Sequence, residues 1–219
     1  MNQYHKIQTV FKRDPETKYK TLLLGEFSTE EFRYLQDNQW FFTEKVDGTN
    51  IRVDLEPNSA LPKIRVRGKT DNAQLHPHLI ENITKLFEGQ EEKLSLHFPA
   101  GFCLYGEGYG PGIQKGGDRY RIDKGFVLFD VKGGEGNNWF KREAVEEIAR
   151  DYNLDIVPIV GMGTLQEMIE TVQAKPSLRS HWGDFEAEGI VARPVVELLD
   201  RFGQRVITKI KSKDFEDAR

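Results

Sequence analysis

Between Trp40 and Leu55 the chain carries the pattern that most limits what it can fold into. Trp40-Phe-Phe-Thr43 reads as a buried strand, and Asp47-Gly48 supplies the residue pair that a tight turn favours. Ile51, Val53 and Leu55 then alternate with Arg52, Asp54 and Glu56. A period of two is the mark of a strand with one face on a core, so the chain leaves the turn as a half-buried strand. Lys63 to Arg67 alternates likewise. Phe102 to Glu107 and Phe126 to Val131 are apolar enough to be core strands, and Gly189 to Ala192 and Arg205 to Lys211 read as strands near the end.

Helical signals are interspersed. Ser28-Thr-Glu-Glu31 reads as a capping box opening a short helix through about Gln36. Leu79, Ile83, Leu86 and Phe87 fall at helical spacing and predict a helix ending near Gly89. Lys141 to Tyr152 and Thr164 to Ala174 read as amphipathic helices. Strands predominate without a regular βαβ rhythm, which predicts an α+β fold of antiparallel sheets. With 219 residues, no repeat and no low-complexity linker, the expectation is a single domain over 1–219.

Composition narrows the function classes. A hydrophobic share of 38% and a charged share of 30% describe an ordinary soluble protein. The single cysteine, Cys103, excludes an internal disulfide and a multi-cysteine zinc site, as a reducing, cytoplasmic location allows. The start, MNQYHKIQTVFKRD, has no apolar signal region, and no window approaches the ~18 apolar residues of a membrane span. A net charge of −4 argues against coating nucleic acid through bulk positive charge, but leaves room for a local grip on a few phosphates.

Several stretches that look chemical fail closer tests. Gly106, Gly108, Gly110, Gly112, Gly116 and Gly117 crowd one segment, yet Pro111 and the Gly-Gly pair argue against the helix that a dinucleotide fingerprint needs. A long surface loop is the expectation there. Gly68-Lys69-Thr70 resembles the end of a P-loop, but Lys63 holds the required earlier glycine position. The five histidines are scattered, and His76-Pro-His78 lacks a third metal ligand nearby. No G-x-S-x-G elbow marks a catalytic serine.

The chemistry concentrates in Glu44-Lys45-Val-Asp47-Gly48-Thr-Asn50, where the apolar run meets the turn and the lysine projects from a sheet edge. Lys-x-Asp-Gly arises by chance in about one chain in twenty of this length, and a solvated lysine before a turn explains it alone. Three more pieces follow in order. Leu104-Tyr105-Gly106-Glu107 ends an apolar strand on a carboxylate, and Phe126-Val-Leu-Phe129-Asp130 is an apolar strand with an aromatic near its end. Glu188-Gly189-Ile-Val191 and Lys209-Ile-Lys211 come near the C-terminus. In a strand Lys209 and Lys211 share one face, with Val206, Thr208 and Ile210 on the other. Two neighbouring lysines repel unless an anion lies between them, and phosphates would satisfy both.

In this order the pieces resemble the covalent nucleotidyltransferase superfamily of polynucleotide ligases and mRNA-capping guanylyltransferases. The details are most similar to the small ATP-dependent RNA ligases of the nick-sealing, phage-type branch. The asparagine five residues after the lysine, Gly68-Lys-Thr-Asp-Asn-Ala-Gln74 and Tyr105-Gly-Glu-Gly-Tyr-Gly110 carry that likeness, which runs from about Trp40 to Phe215. The resemblance implies the nucleotidyltransferase (adenylyltransferase) fold, with Lys45 as the nucleophile that attacks the ATP α-phosphate and becomes lysyl-AMP. It places Glu44 beside the adenine edge, Glu107 on the ribose hydroxyls and Phe129 against the adenine face. It makes Glu188 the holder of a divalent metal, Mg²⁺ or Mn²⁺, and puts Lys209 and Lys211 on the phosphates. Asn50 would position the α-phosphate or a metal-bound water. Many relatives carry an arginine at the place of Lys69; a lysine lacks the bidentate fork, and Arg67 is the alternative.

The residue types suit that reaction. A lysine amine at its ordinary pKa near 10.4 is protonated at neutral pH, and neighbouring cations favour the neutral, nucleophilic form. The same cations neutralise charge on the α-phosphate and the departing pyrophosphate. Mg²⁺ keeps most of its waters, so one carboxylate suffices. The implied partner is RNA bearing a 5′-phosphate and a 3′-hydroxyl, as in RNA repair, with no membrane involved. A DNA ligase and a non-catalytic end-binding module of the same fold are the rivals. Typical DNA ligases continue into an oligonucleotide-binding barrel, whereas this sequence stops eight residues after Lys211. The expectation is therefore no C-terminal barrel. RNA would be recruited by Arg52, Arg65, Arg67, Lys115 and Arg119, best on ends already aligned in a duplex.

Overall fold

The strands on either side of the Asp47-Gly48 turn enter different sheets. The computed structural model describes residues 3–55, 63–134, 136 and 138–218. Its elements, in chain order, are β1 (Gln8–Thr9), β2 (Phe11–Arg13), β3 (Leu22–Phe27), α1 (Glu30–Tyr34), β4 (Trp40–Glu44), β5 (Thr49–Leu55) and β6 (Ile64–Gly68). Then come α2 (Pro77–Phe87), α3 (Glu91–His97), β7 (Phe102–Tyr109), β8 (Gly125–Gly133), α4 (Arg142–Asp151) and β9 (Asp155–Ile156). The chain continues through β10 (Ile159–Gly163), α5 (Leu165–Gln173), β11 (Gly189–Pro194) and β12 (Thr208–Lys211). One five-stranded sheet has the order β6-β5-β7-β8-β9, a second β1-β12-β11-β4-β10, and β2 pairs with β3 alone. Pairing is antiparallel except at β1–β12 and β8–β9, as an α+β fold requires. No helix among the described residues is long and apolar enough to cross a membrane.

The chain divides into two compact units. The first holds Asp47–Val157 with the N-terminal end through Tyr4, and the second holds His5–Val46 and Pro158–Arg219. The chain crosses between them at Tyr4–His5, Val46–Asp47 and Val157–Pro158. A search for one polar linker has no power over such a division, because each crossing is a single peptide bond inside ordinary sequence.

In the first unit Ile51, Val53, Leu55, Phe102, Leu104, Phe126, Leu128 and Val131 form the core face of the sheet. Leu79, Ile83 and Phe87 of α2, Leu94 of α3 and Val145, Ile148 and Ala149 of α4 join them in one cluster, the helical spacing of α2 and α4 doing what it predicts. The half-buried expectation for β5 does not hold: Arg52 and Asp54 are buried as fully as their apolar neighbours. Glu56, the last position of that alternation, lies outside the described residues.

In the second unit Trp40, Phe42, Ile190, Ala192 and Ile210 share a core with Leu165, Met168, Ile169 and Val172 of α5 and Phe32 of α1. Thr164 and Glu167 close a reciprocal capping box on α5. The box expected at Ser28 and Glu31 is replaced. Thr29 caps α1, because the Ser28 hydroxyl donates to the Thr9 carbonyl instead. The sequence pattern singles out neither the strands β1, β2, β3, β9 and β10 nor the helix α3.

Candidate functional site

In the second unit, β4 delivers Lys45 at the end of a paired strand. The Lys45 amide donates to the Gly189 carbonyl at 2.9 Å, and the Glu44 amide to Pro158 at 3.1 Å. Alternation sends Thr43 and Lys45 to one face and Phe42 and Glu44 to the other, core side. Thr43, Val191 and Lys209 stand opposite one another across β4, β11 and β12, and Gly189 stands opposite Lys211. The predicted split of β12 holds, with Lys209 and Lys211 half-buried while Thr208 and Ile210 are fully buried. The strand is shorter than the run from Arg205, beginning only at Thr208.

Glu188 reaches between the two lysines. Lys45 Nζ donates to its Oε2 and Lys211 Nζ to its Oε1, each at 2.6 Å. All three side chains are partly buried, at 19%, 22% and 13% exposure for Lys45, Lys211 and Glu188. Gly189 makes this approach possible: a Cβ there would stand 2.1 Å from the Ile210 carbonyl oxygen and 2.7 Å from Lys211 Cα. Two ammonium groups and one carboxylate leave one net positive charge, an arrangement that attracts a phosphate.

The Glu44 side chain, which the resemblance places beside the adenine edge, is held within the second unit. Its carboxylate is 1% exposed, with Oε1 accepting from the Ser180 hydroxyl at 2.6 Å and Oε2 from the His181 amide at 2.7 Å. Burial pushes its carboxyl above the ordinary value, against the pull of these two bonds. The segment around Ser180 is thereby tied to the strand that carries Lys45.

In the first unit, Asn50 on β5 stands directly opposite Glu107 on β7, and Glu107 opposite Val127 on β8. The Asn50 Oδ1 atom is buried with no hydrogen-bond partner among the described residues. An orphaned acceptor in that place fits a ligand that brings its own donor. Phe129 sits at a β-bulge: Tyr105 pairs with Asp130 and Gly106 with Leu128, leaving Phe129 as the extra residue. It is the one side chain from Gly125 to Lys132 that is not buried. Tyr4 lies edge-on to it, 5.1 Å between ring centroids, and donates its hydroxyl to buried Asp130 at 2.7 Å.

Of the two candidates for the arginine position, Lys69 is exposed beyond the end of β6. Arg67 lies within β6 opposite Arg52, on the face that Asn50 and Glu107 share by register. It meets Asp54 at 3.3 Å and Asp71 at 3.5 Å. Arg52 is 1% exposed and committed to the Gly68 carbonyl and Asp71, so it is not part of an RNA-facing surface. A charged residue in an alternating strand reads as solvated; nothing local records that Arg52 and Asp54 are buried.

No group of three or more His, Cys, Asp or Glu side chains among the described residues is placed to hold a metal ion. His76 caps α2 through its Nδ1. Glu188 fits an ion that keeps most of its waters and takes one carboxylate. It does not fit a closed protein cage.

A model of the RNA ligase family matches residues 38–211. Similar solved structures include the Naegleria gruberi RNA ligase with PPi, 15% identical at a TM-score of 0.66. A point mutant of that ligase with ATP and Mn is 14% identical at 0.66, and another with AMP and Mn is 15% identical at 0.65. Each alignment covers 100% of this chain and 60% of the ligase, so the chain spans about three fifths of the length of these relatives. At such identities the likeness is one of fold. No curated protein sequence matches the chain.

Proposed function

The chain belongs to the RNA ligase family, and from that premise we propose that it is an ATP-dependent RNA ligase that carries AMP on Lys45. The observation that best supports this is Glu188 gripping the amines of Lys45 and Lys211 at 2.6 Å each. While Lys45 donates to Glu188 its nitrogen is occupied. Once that oxygen is withdrawn, the neutral amine bonds to the α-phosphorus of ATP. Its proton passes to solvent, and the bond to pyrophosphate breaks with its electron pair on the leaving oxygen. Lys209 and Lys211 act as fixed cations toward the phosphates. Bound Mg²⁺ or Mn²⁺, with Glu188 as its carboxylate, supplies further positive charge at the α-phosphate.

Phe129 stacks on adenine, Glu107 accepts from the ribose hydroxyls, and Asn50 turns its unsatisfied oxygen to the nucleotide. Arg67, rather than Lys69, fills the arginine role, and Glu44, beside the adenine edge, also steadies the strand under the nucleophile. AMP then moves to a 5′-phosphate, and a 3′-hydroxyl displaces it to seal the RNA. On this reading 1–219 is one adenylyltransferase domain. RNA ends aligned in a duplex are the better substrates, because a splint supplies positioning.

The experiment is incubation with labelled ATP and Mg²⁺, followed by a denaturing gel and mass spectrometry. Wild type should carry one AMP on Lys45, and Lys45→Ala none. A splinted RNA with a 5′-phosphate and a 3′-hydroxyl should be sealed, and more efficiently than nicked DNA. An adduct on another lysine, or better sealing of DNA, overturns the reading.

A further inference from the structure

The glycine-rich segment that follows β7 reads from sequence as a surface loop, and the structure gives it a task. Successive backbone turns fold it on itself: Ile113 N–H donates to Gly110, Gly117 to Gln114, and Tyr120 to Gly117, at 3.1–3.2 Å. Two of its side chains then grip the turn that begins two residues after Lys45. The Asp47 amide donates to the Tyr120 hydroxyl at 3.2 Å, and Gln114 Nε2 donates to the Gly48 carbonyl at 3.0 Å. Tyr120 is only 7% exposed and lies edge-on to Tyr109, 5.9 Å between centroids. Gly48 is itself pressed against β7: a Cβ there would stand 2.3 Å from the Gly108 carbonyl oxygen and 2.7 Å from Glu107 Cγ.

We infer that Gln114 and Tyr120 are positioning residues for the turn that follows the nucleophile in the chain: they hold the backbone of Asp47 and Gly48, two and three residues after Lys45. This rests on the ligase reading and deepens it. The Asp47 amide lies outside any strand ladder and needs an acceptor, which a loop side chain provides. The Gly48 carbonyl receives a donor from the same loop. Turn geometry around a lysine that must attack in line is worth controlling, because a misplacement of about 1 Å costs on the order of a hundredfold in rate.

Tyr120→Phe removes the acceptor while keeping the packed ring, and Gln114→Ala removes an exposed donor. The readouts are the rate of lysyl-AMP formation against ATP concentration and the sealing of RNA supplied with a pre-formed 5′-adenylate, which bypasses attack by Lys45. For Tyr120→Phe the maximal adenylylation rate should fall about tenfold, with half-saturating ATP and the sealing of adenylated RNA within about twofold of wild type. Gln114→Ala should show the same split, less deeply. If both reactions fall together, or half-saturating ATP rises at an unchanged maximal rate, the positioning role is overturned. A wild type that forms no adduct overturns the ligase reading and this inference with it. A wild type that does form one, equalled by both variants, overturns the inference alone.

Discussion

The two five-stranded sheets carry candidate site residues in opposite states. In the second unit the charged groups are saturated by one another: Lys45, Glu188 and Lys211 form a chain of ion pairs. In the first unit Arg67 is likewise ion-paired, with Asp54 and Asp71, but two neutral candidates differ. The Asn50 oxygen has no partner among the described residues, and Phe129 stands out of an otherwise buried strand stretch. Charge that must be handled during a reaction is expensive to leave bare in a partly buried place, so a resident counter-charge holds it. A half-exposed aromatic ring and a single amide oxygen cost far less. Under the proposed function, the contrast is between a lysine–carboxylate chain that handles charge and a strand face that offers a ring and an amide oxygen to the nucleotide.

The sharpest way to break that contrast is Glu188→Gln, which keeps the shape and removes the shared anion. Adenylylation should fall at least about a hundredfold while circular dichroism stays native; near-normal adduct formation would remove charge handling from the second unit. Phe129→Ala should weaken ATP use by about tenfold to a hundredfold, the worth of an aromatic stack. Its neighbour is the control. Leu128→Ala, fully buried, should cost ~2–5 kcal/mol of stability, and Phe129→Ala clearly less; equal losses in denaturant titrations would make Phe129 another core residue.

Arg67→Ala should then reduce ATP use severalfold and Lys69→Ala hardly at all, since only Arg67 shares the Asn50 face. The reverse ranking in a kinetic titration would return the role to Lys69. The smallest effect concerns Glu44. Its folded-state carboxyl is raised above the ordinary 4.5, so between those values the folded state binds the extra proton and stability falls as pH rises. Wild type should accordingly gain melting temperature relative to Glu44→Gln as pH drops from 7 toward 4.5. A difference that is flat or grows with pH would contradict a carboxylate charged at a cost.

Much of the candidate site is legible in the sequence. The Lys45-Val-Asp47-Gly48 turn, the paired lysines of β12 and the apolar strand around Phe129 each declare themselves through spacing within one element. What the sequence does not show is the burial of Arg52, expected in a half-buried strand and on an RNA-facing surface, and the bonds that the loop from Gly110 to Tyr120, expected as a surface loop, makes to Asp47 and Gly48. Tyr4, 126 residues from Asp130, gave no local signal at all.

By itself the sequence determined the class of most elements, the α+β composition and the order of the motifs, since period, caps and turn residues are properties of a few consecutive positions. Only the tertiary structure decided that β4 and β5 enter different sheets, that a bulge turns Phe129 out of its strand, and that Glu188 lies between amines 143 and 23 residues away. Those outcomes depend on register and on long-range strand pairing. Register is settled by which whole faces can be buried together, and no stretch of the chain holds that information alone.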